Sequence, residues 1–482
     1  MCPSSRARKP REPTRFLHHA ARRQPTFPSA TLFKADEPSH TMNDHSPTRT
    51  TRRQFLRQST LAFGAVTLPS LVPASALGRE GAVAPSERIV MAGIGLGGRG
   101  SYDLNVMLAQ KDVQWVAVCD VLKERREAAK RTVDAKYGNR DCAMYRDLRE
   151  MLAGRTDVDA VLIATGDRWH ALAAIWAMRA GKDVYCEKPA CLTMAQGRMV
   201  VDTARRYCRV YQTGAQRLSE PHHVFAIELA RSGRLGPIHT VYADCRWRDG
   251  HRFDWLPAEP EPPREELDWD LFIGPSPWRP YNHGYLHSGW YHFYDFATDV
   301  AMWGAHTVAQ ALAGLDMTGV TSIEFEYGGP GATMVTRLSN GVKLVLYRTS
   351  GSVWAPCEYW HGACGERFEG PEGWAAAADG YSRTEVSSPS LLQDYDRVLA
   401  DYTARTQRPL DHVRDFLDCV KSRRDPVANP EVMYRSMCIC LAADIVGQLQ
   451  RNLKFDLQRA EFVGDEEANR LRSRAMRAPY ML

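Results

Sequence analysis

The chain has 482 residues, 44% hydrophobic and 25% charged, a balance that fits a soluble globular protein with more than one core. The net charge of +5 sits at the start: residues 1–76 hold 12 of the 62 Lys and Arg but only 4 of the 57 Asp and Glu, leaving 50 basic against 53 acidic residues beyond them. That excludes a nucleic-acid-binding balance, and twelve cysteines without a C-x-x-C pair give no zinc spacing.

Residues 1–48 are polar, rich in arginine and proline and free of periodicity, which predicts disorder. Met42 is an alternative start. Arg52 and Arg53 with Phe55 and Leu56, an apolar run over 61–72, and Ala74-Ser75-Ala76 read as the three parts of an export signal. The arginine pair resembles a twin-arginine signal. The expectation is therefore a periplasmic or otherwise exported protein, handled by the twin-arginine translocase and free of the membrane after cleavage. The apolar run is too short to span a bilayer comfortably, and no other stretch is expected to do so. Residues 77–86 read as a linker.

Residues 87–212 alternate short apolar runs with helical patterns, which predicts an α/β unit: a doubly wound parallel sheet of the Rossmann type. The first run, 88–94, leads into Gly95-Leu-Gly97-Gly98-Arg99-Gly100; Gly93 and Gly98 allow a second frame of the same motif. A helix over 102–108 and a second run, 113–119, ending at Asp120 follow. Small residues let backbone approach a pyrophosphate at a helix N-terminus, and Asp120 stands where an acidic group takes ribose hydroxyls. Such a carboxylate repels a 2′-phosphate, so NAD is favoured over NADP. A charged helix over 123–136, a strand over 160–165 and a helix over 171–180 come next. The strand Val184-Tyr185-Cys186 then stops at Glu187-Lys188-Pro189. Proline cannot donate to a ladder, which holds Lys188 stiffly at a strand's carboxyl end, where open parallel sheets bind ligands. Cys119 and Cys186 read as core fillers; Cys357 and Cys364 could bridge if oxidised. Adjacent His222 and His223, about 100° apart on a helix, are not expected to share a metal, and no metal site is expected.

Residues 213–482 change character. Strand-like runs at 238–247, 321–327, 333–338 and 342–348 are separated by a proline-rich loop over 257–280, and helices over 410–422 and 430–449 close the chain. This is an α+β pattern.

The glycine turn, Asp120 and CEKPA (186–190) together resemble the glucose–fructose oxidoreductase and inositol dehydrogenase (Gfo/Idh/MocA) family. So do ATGDRWH (164–170), QTGAQR (212–217), LDWDLFIGPSPWRPYN (267–282), WGAH (303–306) and GDEEANRL (464–471), the last three pointing to its exported bacterial branch. The resemblance implies a large open, mostly antiparallel sheet in the second domain, which serves homo-oligomerisation. It also implies that Lys188 and His306 act on a carbohydrate hydroxyl, the imidazole accepting a proton near its ordinary pKa of ~6.5. Thr165, Trp169, His170, Glu187 and Gln216 would face the cofactor. Arg217, Tyr281, Asn282, Tyr291, His292 and Asp295 would face the sugar. Two departures stand out. Met302 occupies the position of an expected aspartate four residues before His306, with Asp299 at i−7 as a substitute, and Gly166 and Arg168 replace a usual proline and histidine. The expected function is an exported oxidoreductase acting on a sugar's secondary hydroxyl with a tightly held, internally recycled NAD. The alternatives are an NAD-dependent glycoside hydrolase working through a 3-keto intermediate, and a sugar-binding protein that keeps NAD without turnover.

Overall fold

The computed structural model describes residues 83–245, 250–286, 289–329, 332–347 and 363–481; the leader, the twin-arginine segment and Cys357 lie outside them. Six strands form the first sheet: β1 (Ile89–Ile94), β2 (Val113–Cys119), β3 (Ala143–Tyr145), β4 (Ala160–Ile163), β5 (Asp183–Cys186) and β6 (Tyr211–Thr213). Their order is β3-β2-β1-β4-β5-β6, every pair parallel. Every residue of β4 and β5 is buried, as expected of strands covered on both faces. Helices α1 (Gly98–Leu108), α2 (Lys123–Tyr137), α3 (Leu148–Gly154), α4 (Asp167–Arg179) and α5 (Met194–Arg206) make the crossovers. The strand order reverses between β1 and β4, and that switch opens a crevice at their carboxyl ends. β3 has only three residues, none of them buried, too short a run for the sequence to announce it.

The second sheet has nine strands: β7 (Thr240–Asp244), β8 (Ser322–Glu326), β9 (Met334–Leu338), β10 (Lys343–Tyr347), β11 (Glu366–Gly370), β12 (Gly373–Ala377), β13 (Glu385–Val386), β14 (Leu453–Asp456) and β15 (Glu461–Phe462). The order is β13-β12-β11-β7-β10-β9-β8-β14-β15, antiparallel throughout except for β7 against β10. The predicted open, mostly antiparallel sheet is therefore present. Helices α6 (Pro221–Arg231) and α8 (Ala301–Gly314) contact this sheet.

Within the proline-rich loop lies a short helix, α7 (Trp269–Ile273), capped by the Asp268 side chain, which accepts from the Leu271 N–H. Trp269, Phe272, Tyr285, Phe293 and Phe296 give this loop its own apolar core. The chain ends with α9 (Tyr395–Thr406), α10 (His412–Ser422), α11 (Pro430–Leu449) and α12 (Glu466–Arg470). α11 is long and apolar enough to cross a membrane by length and composition, contrary to the expectation that only the leader approaches that pattern. Its apolarity has another use: the stretch from Met433 to Val446 is almost wholly buried between α5 and α8.

α10, from the far end of the chain, completes the first sheet's core. Val413, Phe416 and Leu417 pack with Met91, Val118 and Tyr185, and the Phe416 ring meets Tyr185 edge-on at 5.6 Å. Gln212 Nε2 donates to the His412 carbonyl at 2.7 Å, and Arg414 forks onto Asp112 at 2.9 and 3.0 Å. Phe416→Ala should therefore lower the urea-unfolding free energy by about 3–5 kcal/mol, the range for truncating a buried phenylalanine. A loss under about 1 kcal/mol would show that α10 is not part of this core.

Candidate functional site

The cleft begins with a steric demand. β1 ends at Gly95, whose φ of +77° is left-handed, and a Cβ there would stand 2.7 Å from the Thr165 backbone. At Gly100, in the first turn of α1, a Cβ would stand 2.2 Å from the Gly95 carbonyl oxygen. Gly98 is different: a Cβ there meets nothing within 4 Å, because the position faces the open cleft. Two glycines bring the helix onto the sheet edge, and a third leaves space for a ligand.

Asp120, at the end of β2, is locked beside this turn. Its carboxylate accepts the Leu96 N–H at 2.8 Å and the Leu122 N–H at 2.9 Å. Burial pushes its pKa above the ordinary value, while Arg125 and the two N–H donors pull the other way. Thr165, Gly166 and Trp169 form the opposite wall, with Leu271, Phe272, Leu286 and Trp290 over the top, enclosing a cavity of about 320 Å³. Arg125 and Arg146 also line it, so its acidic end is not purely negative.

The departures at Gly166 and Arg168 have a physical reason. Arg168 is buried and donates twice to the Phe272 carbonyl, at 2.9 and 2.7 Å, with its guanidinium 4.4 Å from the Phe272 ring centre. A Cβ at position 166 would lie 2.6 Å from Arg168 Nη1. That nitrogen is buried without a partner among the described residues, in a side chain lining the cavity. Burial lowers the Arg168 pKa to about 9, which still leaves it a cation at neutral pH. An open glycine wall, a fixed carboxylate and an unused cationic donor suit a dinucleotide with its anionic pyrophosphate.

Beyond this cavity, Arg99 Nε reaches Asp103 and Glu187, each at 3.2 Å, and Gln216 Nε2 donates to Glu187 at 2.7 Å and to the Tyr185 hydroxyl at 3.0 Å. Burial and the neighbouring Glu187 charge raise the Asp103 pKa to about 8, outweighing Arg99. Asp103 is therefore shifted toward its protonated form at neutral pH. Lys188 Nζ donates to the Met302 carbonyl at 2.9 Å and lies 5.7 Å from the Trp303 ring centre. The backbone of Met302 thus satisfies the lysine where a side-chain acid was expected. Asp299 lies just before α8, which begins at Ala301.

His306, on α8, is buried; its Nε2 stands 3.3 Å from Arg217 Nη1, and its Nδ1 has no partner among the described residues. Arg217 is anchored by Asp379, Nε to Oδ1 at 2.8 Å and Nη2 to Oδ2 at 2.6 Å. Burial, and then the charges of Arg217, Lys188 and Arg99, hold the His306 pKa well below its ordinary value. The direction runs against an imidazole at its ordinary pKa: a buried ring among cations favours its neutral form.

Several expected contacts are used elsewhere. His170 sets its two ring nitrogens against the Pro189 carbonyl at 2.7 Å and the Thr165 carbonyl at 3.0 Å, tying the Lys188 segment to β4. Trp169 does line the cavity, with Nε1 donating to the Leu271 carbonyl at 2.8 Å. Tyr281 packs edge-on against Trp269, and Asn282 binds the Pro257 carbonyl and Glu259. Asp295 pairs with the buried Arg279. These three make contacts within the loop. Tyr291 and His292 lie half-buried beside Trp290 with their rings 4.7 Å apart. Sequence reasoning missed Asp103, Arg125, Arg146 and Asp379. Asp103 carried a readable signal, one helical turn after Arg99, whereas nothing near Asp379 links it to residue 217.

A six-stranded parallel sheet with a glycine turn, a fixed acidic residue and a strand-end lysine defines a dinucleotide-dependent oxidoreductase. The comparisons agree. Residues 88–215 match the model of an oxidoreductase family with an NAD-binding Rossmann fold, and residues 389–482 match that family's C-terminal alpha/beta domain. In these two stretches the chain matches the Gfo/Idh/MocA oxidoreductases, and the matched Rossmann domain is NAD-binding. An alpha-N-acetylgalactosaminidase of Shewanella oneidensis is 32% identical over 178 residues, and a glycosyl hydrolase family 109 protein of Saccharopolyspora erythraea is 35% identical over 175. Those matches take in 32% and 33% of this chain, and only 37% and 38% of the relatives' own length. Two solved structures share the fold. The WlbA dehydrogenase of Bordetella pertussis, in complex with NADH and UDP-GlcNAcA, covers 76% of this chain and 98% of its own at 15% identity and TM-score 0.52. The aldose-aldose oxidoreductase of Caulobacter crescentus, complexed with glycerol, covers 76% and 100% at 16% identity and TM-score 0.50.

The glycines separate two effects by experiment. Gly100→Ala should lower the melting temperature in the absence of NAD, whereas Gly98→Ala should leave it unchanged and weaken NAD binding at least ~tenfold, because the added methyl stands in the ligand's space. Equal NAD affinity in Gly98→Ala, measured by fluorescence titration, would remove Gly98 from the cofactor wall.

Proposed function

We propose that the protein oxidises a secondary hydroxyl of a sugar or glycoside by hydride transfer to NAD and returns the hydride before release. The observation that carries this reading is the convergence of Lys188, Arg217 and a neutral His306 next to the dinucleotide cleft. NAD supplies the hydride acceptor. The residues of the chain supply the rest. A hydroxyl cannot give up hydride unless its proton also leaves. Lys188 and Arg217 place two cations where the alkoxide develops, and that field lowers the cost of ionising the oxygen. Arg217 Nη1 meets His306 Nε2 in the structure, so Nε2 takes the hydroxyl's proton once the substrate displaces that contact, and its low basicity suits transient rather than full protonation. The Asp379 carboxylate keeps Arg217 in place. The leader supports the retained cofactor: an exported enzyme has no free nicotinamide pool to draw on.

The names of the partial relatives favour a second reading for the same site. Once a ring hydroxyl, for instance at C3, is a ketone, the neighbouring C2 hydrogen is acidified. The C1 aglycone is then eliminated, water adds and the ketone is reduced, which achieves glycoside hydrolysis without the usual carboxylate pair. Both readings start from one oxidation and differ in the fate of the ketone.

Protein recovered after export and denatured should release NAD, identified by mass spectrometry. Turnover of glycosides in heavy water then divides the readings: ketosugar or alditol indicates the oxidoreductase, while aglycone with deuterium at C2 indicates the hydrolase. Saturable sugar binding with neither product would leave only a binding role.

His306→Ala should lower kcat by about 10²–10⁴-fold with nucleotide content unchanged. The sign of the His306 shift fixes the pH profile. A pKa below the ordinary ~6.5 keeps the ring neutral from pH 8 down through pH 6, so kcat should show no acid limb with a midpoint near 6.5. Such a limb, absent in His306→Ala, would contradict the cationic environment.

A further inference from the structure

A second polar cluster lies behind Arg217 and His306 and plays no part in the site described. Glu220 immediately precedes α6, His222 and His223 lie in its first turn, and Glu366 opens β11. One nitrogen of each imidazole and one Glu220 carboxylate oxygen lie within 4.8 Å of one another. Adjacent helical residues were expected to point apart, yet the two ring centres are 4.3 Å apart. Position in the helix explains it. α6 starts at Pro221, so there is no preceding turn to restrict these rotamers as it would in a helix interior.

The hydrogen bonds assign the free nitrogens. His223 is wholly buried, with Nδ1 2.9 Å from both oxygens of Glu366, and Gln310 Nε2 donates to Glu366 Oε2 at 2.7 Å. Glu366 and the Gln310 amide both meet Nδ1, the latter at 2.8 Å, and the tautomer with its proton on Nδ1 leaves Nε2 a lone pair. That Nε2 has no hydrogen-bond partner among the described residues, and it stands 3.9 Å from Glu220 Oε2. His222 follows the same pattern: its Nε2 meets the Ala378 carbonyl at 3.2 Å, so that nitrogen donates and Nδ1 is unprotonated. An ion held between these atoms would give the buried His223 Nε2 the partner it lacks.

We propose that Glu220, His222 and His223 bind a divalent transition-metal ion of the zinc class, with Glu366 and the Ala378 carbonyl fixing the two imidazole tautomers. Two nitrogens and one carboxylate suit zinc or its neighbours rather than calcium or magnesium, which take all-oxygen sets. A histidine backed by a carboxylate is the usual outer arrangement of such sites. The half-exposed Glu220 leaves a fourth position for water. The positive end of α6 opposes a cation, and the carboxylate of Glu220 offsets it. Because Ala378 precedes Asp379, an ion here would also steady the segment that anchors Arg217. The proposal does not depend on the reaction assigned to the neighbouring site.

The test uses the full chain, stripped with chelator and titrated with Zn²⁺ alone by calorimetry, with Co²⁺ absorption as a second reading. One ion per chain is expected, with visible Co²⁺ bands of a nitrogen–oxygen set and no thiolate charge-transfer band. Removing the wholly buried His223 risks the fold, so the informative variants are Glu220→Gln and His222→Asn. Each should weaken Zn²⁺ binding at least ~tenfold while leaving the metal-free unfolding midpoint in place. Absence of binding at micromolar Zn²⁺ would overturn the proposal. So would equal affinity in both variants, or a thiolate band, since either places the ion elsewhere.

Discussion

There is no room for a methyl group between the end of β1 and the start of α1, and the rest of the cleft depends on that. Gly95 lets the backbone turn left-handed against Thr165, and Gly100 lets the helix seat on the carbonyl of Gly95 itself. Only then does the α1 N-terminus come level with the carboxyl ends of β2, β4 and β5. Asp120, Thr165 and Lys188 hang from those three ends. A side chain at Gly95 or Gly100 would part helix from sheet and scatter groups that the fold otherwise brings to one edge.

Charge is distributed along that edge in a definite way. At the dinucleotide end, Asp120 and Asp103 show burial outweighing nearby arginines. At the reactive end the balance is cationic, with Lys188 and Arg217 around a neutral imidazole. Asp379 compensates Arg217 from the far side, so the guanidinium keeps its charge while presenting one edge to His306. Position 302 contributes a main-chain oxygen to Lys188, which needs no particular side chain.

The first sheet was legible because its strands are buried on both faces and read as continuous apolar runs between helical patterns. β3 was not, being three residues long with no buried side chain. In the second sheet, β8 and β9 alternate and β10 is a continuous apolar run, so they could be read, whereas β12 is largely alanine and β11 opens on a buried glutamate, so neither carries a strand signature. The glycine turn, Asp120, Lys188 and His306 were found by spacing and resemblance. Their partners Asp103, Met302 and Asp379 were not, since a sequence states which residues exist but not which distant segments fold beside them. Tyr281, Asn282 and Asp295 show a different limit: a long loop without a sheet needs its own core and ion pairs, and it uses the same residue types that sugar sites use.

Chain connectivity also dictates the order in which the molecule can be built. β6 is made by residue 213, yet the face of the first sheet that receives Phe416 stays bare until some 200 further residues have been synthesised. Tyr185 and Val118 therefore wait, uncovered, while the entire nine-stranded sheet emerges. The amino-terminal half is not a finished module that the carboxyl-terminal half merely joins. The nucleotide-binding half lacks part of its core until residue 416 of 482 has been added.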